Sequence, residues 1–112
     1  LAFGLPGGGR IPTTTLAVLL DVLVFDRGLG EAMAAPRFHL RRSWSPEPDS
    51  DHFHLEAGFP EAVAEALRDR NWKVETVEDT EFFGGVTAIE VLPDGSYRGW
   101  ADPRRTNEAA GF

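Results

Sequence analysis

A long apolar helix places the tightest constraint on the fold of this chain. Within residues 16–25 every position except Asp21 is apolar. Pro12 and the candidate caps Thr13 and Thr14 mark its start, so the predicted helix covers residues 13–25. Because apolar side chains surround nearly the whole helix, it lacks the polar side of a surface helix. We therefore expect it to pack between layers, with neighbours on both sides.

The rest of the chain alternates between short strands and helices. Period-two and period-3.6 patterns, with glycine and proline as boundaries, define the remaining elements. Strands are predicted at residues 1–3, 37–41, 52–56, 72–79, 86–92 and 96–101, and helices at residues 31–35 and 59–70. The Pro-Asp-Gly turn at residues 93–95 joins the last two strands as a hairpin, and the proline-rich segment 43–51 is predicted to be a loop. The fold class is therefore α/β or α+β, with a sheet covered by helices.

Composition excludes several classes of protein. The formal net charge is −7 and the pI is about 4.8, which disfavours binding to nucleic acid or an anionic membrane. The chain has no cysteine, hence no disulfide or thiolate site, and no apolar run long enough to span a bilayer. Because it begins at Leu1 without a start methionine, we expect residues 1–112 to be a single partial domain of a longer protein.

Consecutive glycines, Gly7, Gly8 and Gly9, lie just before the apolar helix. Such a loop presents several backbone N–H groups together, which can bind a phosphate, a carboxylate or the oxyanion of an acyl-transfer intermediate. The phosphate-binding motifs are absent, since Arg10 follows the glycines and no lysine precedes the threonines. Spacing alone leaves both an anion site and a structural turn without ligand open.

Four segments together resemble the gamma-glutamyltransferase family. They are "PGGGRI" at residues 6–11, "EAMAAPRFH" at 31–39, "DGSYRGWADPRR" at 94–105 and "AGF" at 110–112, and they occur in the order found in that family. The resemblance implies the C-terminal portion of the small subunit of an N-terminal-nucleophile hydrolase with a four-layer αββα fold. Such enzymes cleave themselves to expose a threonine, whose amine is the base and whose hydroxyl attacks a γ-glutamyl amide such as glutathione.

The resemblance also assigns roles. Gly7 and Gly8 match the two glycines whose N–H groups form the oxyanion hole. The nucleophilic threonine and most substrate-binding residues would lie upstream, so residues 1–112 alone would be inactive. No cofactor or metal is implied. The implied partners are a γ-glutamyl small molecule, the remainder of the small subunit and the large subunit of the same precursor. The family is compatible with a periplasmic or extracellular location.

Two alternatives to this function stay open. The intact enzyme could act on β-lactam side-chain amides, as acylase relatives do, because the residues that recognise the acyl group are mostly outside this chain. From a different class, the chain could be a free-standing, non-catalytic protein-binding domain.

Other candidate residues have a structural explanation beside the functional one. His52 and His54 would share one face of a strand and offer two imidazoles to a metal, but no third ligand has a convincing spacing, which favours a surface pair. Arg37 and Asp102 could be active-site groups, yet a buried or loop-fixing ion pair is the favoured interpretation. The helix-start threonines have no free α-amine and are predicted to be caps or core residues. Trp44, Trp72 and Trp100 are assigned to packing.

Overall fold

The computed structural model describes residues 1–41 and 51–111. Most of the predicted loop at residues 43–51, including Trp44, lies outside the described residues; only Asp51 of that loop is described. Phe112 of the terminal "AGF" also lies outside them.

Every predicted helix and strand in the described part is present, in the predicted order. The elements are β1 Ala2–Gly4, α1 Ile11–Leu23, α2 Leu29–Ala34, β2 Phe38–Arg41, β3 His52–Glu56, α3 Glu61–Arg68, β4 Lys73–Val77, β5 Thr87–Val91 and β6 Tyr97–Ala101. Two short 3-10 turns, Gly8–Arg10 and Thr80–Phe83, were not predicted. The mixed helix and sheet confirms the α/β class.

The strands form two three-stranded sheets. The first has the order β1-β5-β6 and is antiparallel throughout, with β5 and β6 as the predicted hairpin. The second has the order β2-β3-β4, where β2 pairs antiparallel with β3 and β4 pairs parallel with β3. The parallel pair requires a crossover, which α3 provides.

Helices α1 and α2 pack on the first sheet and form the core. The buried residues of this core are Val18, Leu29, Ala32, Met33, Val86 and Ala88. Trp100 packs against them, and a Cβ on Gly30 would overlap its ring. Trp72 makes an edge contact with Phe53 at a centroid distance of 5.1 Å. The packing roles predicted for these two tryptophans are confirmed.

Helix α1 departs from its prediction in burial. It buries Thr14 and Val18, whereas Leu16, Leu20 and Leu23 remain 50%, 36% and 72% exposed. Complete burial of the helix is therefore not found within the described residues: α2, the first sheet and β2 of the second sheet contact it, and the side that carries Leu16, Leu20 and Leu23 stays exposed. No helix in the described ranges has the length and apolar character needed to cross a bilayer.

The start of α1 corrects a second prediction. The helix begins at Ile11 with Arg10 at the N-cap position and no capping side chain, so Thr13 and Thr14 are not caps. Pro12 lies in the first turn, where its fixed φ favours helix initiation, and this places the start two residues earlier than predicted. Thr13 instead donates to the Arg10 carbonyl at 3.1 Å, and buried Thr14 confirms the core alternative.

Candidate functional site

The glycine loop has a backbone that only glycine adopts without strain. Gly7 has φ +152° and Gly8 has φ +56°, and a 3-10 turn follows in which the Arg10 N–H donates to the Gly7 carbonyl at 3.1 Å. Neither the Gly7 nor the Gly8 N–H donates a hydrogen bond to another described residue. The loop therefore presents two free donors next to the start of α1, which is what an anion or oxyanion site requires.

A second glycine segment lies directly behind this loop. Gly84 has φ +77°, and a Cβ at this position would overlap the carbonyl oxygen of Pro6. One residue earlier, the Phe83 carbonyl accepts a hydrogen bond from Thr14 Oγ1 at 3.1 Å. Pro6 immediately precedes the glycines and Thr14 lies in the first turn of α1, so these contacts join the chain on either side of the glycine loop to the segment around residue 84. The position of that segment therefore constrains the position of the loop.

Arg37 and Asp102 hold the segment around Gly84 in place. Each is only 1% exposed, and the guanidinium Nη2 donates to Asp102 Oδ2. Arg37 Nη1 also donates to the Gly84 carbonyl at 2.9 Å, and Asp102 Oδ2 accepts from the Val86 N–H at 2.8 Å. The predicted ion pair is confirmed as a buried pair. It contacts the glycine loop indirectly, through the segment around Gly84.

A second buried pair adjoins the first. Arg104 donates through Nε and Nη2 to the two carboxylate oxygens of Glu56, at 2.5 and 2.6 Å. Arg104 also donates to the carbonyls of Met33 and Ala35, both at 2.8 Å, while Glu56 accepts from the Arg37 N–H at 2.8 Å. Sequence analysis missed this pair, although Arg104 follows Asp102 within the quoted "ADPRR" segment. Arg37, Glu56, Asp102 and Arg104 together form what we call the ion cluster.

Hydrogen bonds stabilise the charged states within the ion cluster. Burial alone would raise the pKa of Asp102, but the N–H groups of Val86 and Arg104 and the Arg37 guanidinium outweigh it and hold that pKa below its ordinary value. Burial opposes the charge of Arg104 as well, yet Glu56 raises its pKa. The pKa of Arg37 is lowered by burial and by the nearby Arg104 charge.

The depressed pKa of Asp102 makes stability depend on acid pH. A carboxylate whose pKa is lower in the folded state contributes stability above its unfolded pKa of about 3.9 and loses it as pH falls through the folded pKa. The free energy of unfolding should therefore decrease as the pH is lowered past about 4. In Asp102→Asn this decrease should be smaller. Urea unfolding between pH 3 and 6 measures both curves, and parallel curves would contradict the role of Asp102.

The contact between Gly84 and Pro6 gives a further prediction. Gly84→Ala combines a positive-φ penalty of about 1–2 kcal/mol with an overlap on the Pro6 carbonyl that forces the glycine loop to move. Gly95→Ala is the matched control, because Gly95 has φ +85° and open space around its Cβ position. We expect both variants to lower Tm and only Gly84→Ala to lower turnover as well; equal turnover in the two variants would contradict the coupling.

A pocket of about 600 Å³ opens beside the loop. Its lining residues are Gly9, Arg10, His39, Leu40, Arg41, His54 and Phe82. The Arg10 guanidinium lies 3.9 Å from the centre of the Phe82 ring. Burial and the charges of His54, Arg10 and Arg41 lower the pKa of His39, whose Nδ1 lies 3.0 Å from Thr13 Oγ1. The arginine side chains make this pocket favourable for an anion.

The histidines differ from their prediction as a surface pair. His54 is only 6% exposed and lies against Phe82 at a ring distance of 5.1 Å. The parallel register of β3 and β4 places Glu75 opposite His54, and their side chains approach to 3.3 Å. His52, His54 and Glu75 can each offer one ligand atom within 4.8 Å of the others. Glu75 is therefore a third candidate ligand, which sequence spacing did not reveal.

The comparisons with known proteins agree with the quoted motifs. The sequence profile of the family described as Gamma-glutamyltranspeptidase matches residues 1–112. This chain belongs to the gamma-glutamyltranspeptidase family. The resemblance inferred from the four segments is thereby confirmed over the whole chain.

Relatives with different named activities are similar to this chain. The chain is 34% identical to a glutathione hydrolase proenzyme of Escherichia coli strain K12, covering all of this chain and 18% of that protein. It is 37% identical to an Acylase ACY 1 proenzyme of Pseudomonas sp. strain SE83, covering 89% of this chain and 16% of that protein. The chain thus spans less than a fifth of these two relatives.

The family fold is also found among solved structures. Gamma-glutamyltranspeptidase from Pseudomonas nitroreducens, complexed with L-DON, superposes with a TM-score of 0.79 at 28% identity, covering 98% of this chain and 54% of that one. Gamma-glutamyltranspeptidases have the N-terminal-nucleophile hydrolase fold, and the two sheets and their helices described above belong to it.

Proposed function

We propose that this chain supplies the oxyanion hole of an N-terminal-nucleophile enzyme that cleaves γ-glutamyl amides. The observation that carries the proposal is the glycine loop, whose Gly7 and Gly8 have positive φ and N–H groups free of described partners. Its location in a member of this family supports the same role. Gly7 is half-buried and Gly8 is exposed, so a substrate oxygen can approach both N–H groups.

In the proposed mechanism the loop acts on charge that develops during the reaction. Attack on the γ-glutamyl carbonyl converts its oxygen into an oxyanion, which the Gly7 and Gly8 N–H groups stabilise. Because the donors are fixed by the ion cluster and by the Pro6 contact with Gly84, little reorganisation is needed when the charge forms. The loop therefore contributes to the transition state more than to substrate binding.

The nucleophile in this proposal is a threonine outside residues 1–112. The Thr13 and Thr14 hydroxyls donate to the carbonyls of Arg10 and Phe83, and no internal threonine has the free α-amine that serves as base. We therefore propose that residues 1–112 are a partial domain, inactive alone, that works with the remainder of the small subunit and with the large subunit. The exposed apolar side of α1, with Leu16, Leu20 and Leu23, is where we expect the remainder to pack.

The family resemblance and an acylase relative support two substrate classes. A glutathione hydrolase proenzyme and an Acylase ACY 1 proenzyme are both similar to this chain. We propose γ-glutamyl amides such as glutathione as the first class and β-lactam side-chain amides as the second.

A matched pair of chromogenic anilides tests this proposal. The protein expressed from its complete reading frame is assayed with γ-glutamyl anilide and with glutaryl anilide, which differ only in the α-amino group. We expect turnover of the γ-glutamyl compound to dominate; preference for the glutaryl compound would favour the acylase alternative. No turnover of either by the folded protein would contradict the proposal and favour a binding domain, and turnover by residues 1–112 alone would contradict inactivity of the isolated chain.

A further inference from the structure

One face of the second sheet carries two rows of polar side chains. Cross-strand pairing aligns His39, His54 and Glu75 in one row and Arg41, His52 and Lys73 in the next. Paired residues project from the same side of a sheet, and so do residues two apart on one strand. The backbone register therefore explains why His52, His54 and Glu75 lie close together.

We propose that His52, His54 and Glu75 form a binding site for a zinc ion. Their ligand atoms all lie within 4.8 Å of one another. His54 Nε2 and Glu75 Oε2 are 3.3 Å apart. Zinc with tetrahedral bonds of about 2.0–2.2 Å holds its ligand atoms about 3.3 Å apart, so this pair already has the required spacing. The His52 ligand atom, which lies within 4.8 Å of the other two, has to approach by up to about 1.5 Å to reach the same spacing.

The surroundings of the three side chains suit a metal site. His54 is 6% exposed and its ring lies against the rings of Phe82 and His39, at centroid distances of 5.1 and 6.0 Å, which limits the entropy lost when it binds an ion. His52 Nε2 is buried and has no hydrogen-bond partner in the described part of the chain. The Glu75 side chain is 63% exposed, so solvent has a route to the site and water can complete the coordination.

The donor set selects the class of ion. Two imidazoles and one carboxylate suit zinc and related transition metals, whereas calcium and magnesium prefer oxygen ligands throughout. Arg41 and Lys73 lie opposite His52 on the flanking strands, and their charges oppose a dication. The Glu75 carboxylate offsets one of these charges. Bound zinc would join β3 to β4 next to the pocket that His54 lines.

Zinc titration of the full-length protein, purified without a histidine tag, tests the site. Affinity is measured by competition with a chromophoric chelator, and cobalt(II) reports tetrahedral coordination through its visible absorption. We expect one ion per chain, and we expect Glu75→Gln and His52→Gln each to weaken binding at least about tenfold. Glu65→Gln on α3 is the matched control, since it removes an exposed carboxylate away from the site. It should bind zinc as the wild type does.

Thermal unfolding gives a second measurement on the same proteins. Zinc should raise the Tm of the wild type and of Glu65→Gln, and should raise the Tm of Glu75→Gln less at the same zinc concentration, because an ion stabilises the folded state in proportion to its affinity for it. Absence of stoichiometric zinc binding in the wild type would overturn the proposal and leave His54 and Glu75 as a metal-free ion pair. Undiminished binding in either ligand variant would also overturn it.

Discussion

Replacing Gly8 with alanine is expected to lower kcat of the complete enzyme about 10²- to 10³-fold while KM changes little. Gly8 has φ +56°, where an alanine costs about 1–2 kcal/mol, and relief of that strain rotates the peptide that carries the donor N–H. Loss of one oxyanion donor reduces turnover by this amount, because the charge it stabilises exists only in the transition state. Steady-state kinetics, normalised to titrated active sites, measures the effect.

Gly9→Ala is the control for this prediction. Gly9 lies in the same 3-10 turn, its φ is not positive, and a Cβ there meets no atom within 4 Å. We expect its kcat and Tm to stay close to those of the wild type. If Gly8→Ala instead lowers Tm and keeps a near-normal kcat, Gly8 is a structural glycine and not part of the oxyanion hole.

Removal of the Arg37 side chain should have the largest effect on stability. Arg37→Ala is expected to lower the free energy of unfolding by about 3–5 kcal/mol, since it removes the closer of the two guanidinium partners of buried Asp102 and leaves only Arg104 Nη1, at 3.3 Å. The carbonyls of Gly84 and Met33 also lose a donor. Urea or thermal unfolding measures the loss, and a change below about 1 kcal/mol would contradict the role of the ion cluster.

Two further variants accompany this measurement. Arg68→Ala removes one partner of the exposed pair with Glu61, at 2.7 Å, and should cost at most about 1 kcal/mol. Arg37→Lys keeps the positive charge but loses the planar fork that reaches both Asp102 and the Gly84 carbonyl. If the Arg37–Asp102 pair positions the glycine loop, Arg37→Lys lowers the kcat of the folded enzyme. An unchanged kcat would show that the pair contributes to stability and not to the position of the loop.

Local signals predicted most of this fold. Helix and strand types follow from side-chain periodicity, and the β5–β6 hairpin follows from Pro93, Asp94 and Gly95, so these elements required no tertiary information. The start of α1 was misplaced because threonine hydroxyls serve equally well as caps and as donors to distant carbonyls. Thr14 bonds to Phe83, a partner 69 residues away.

The residues that position the candidate site depend on long-range contacts. Glu56 accepts a hydrogen bond from Arg104, which lies 48 residues away in the sequence. The sequence around each residue contains no signal that the two side chains pair. Glu75 faces His54 only because α3 returns the chain to a parallel strand in one particular register. Such pairs are set by the packing of distant elements, so spacing along the sequence did not reveal them.

The most direct measurement locates the acyl group during turnover. The protein from the complete reading frame is reacted with γ-glutamyl anilide, quenched within one turnover and digested for mass spectrometry. We expect the γ-glutamyl adduct on the hydroxyl of an N-terminal threonine outside residues 1–112, and slower adduct formation in Gly8→Ala. An adduct on Thr13, Thr14, Thr15 or any other residue of this chain would contradict a nucleophile outside residues 1–112. Adduct formation that Gly8→Ala leaves unchanged would contradict the proposed oxyanion role.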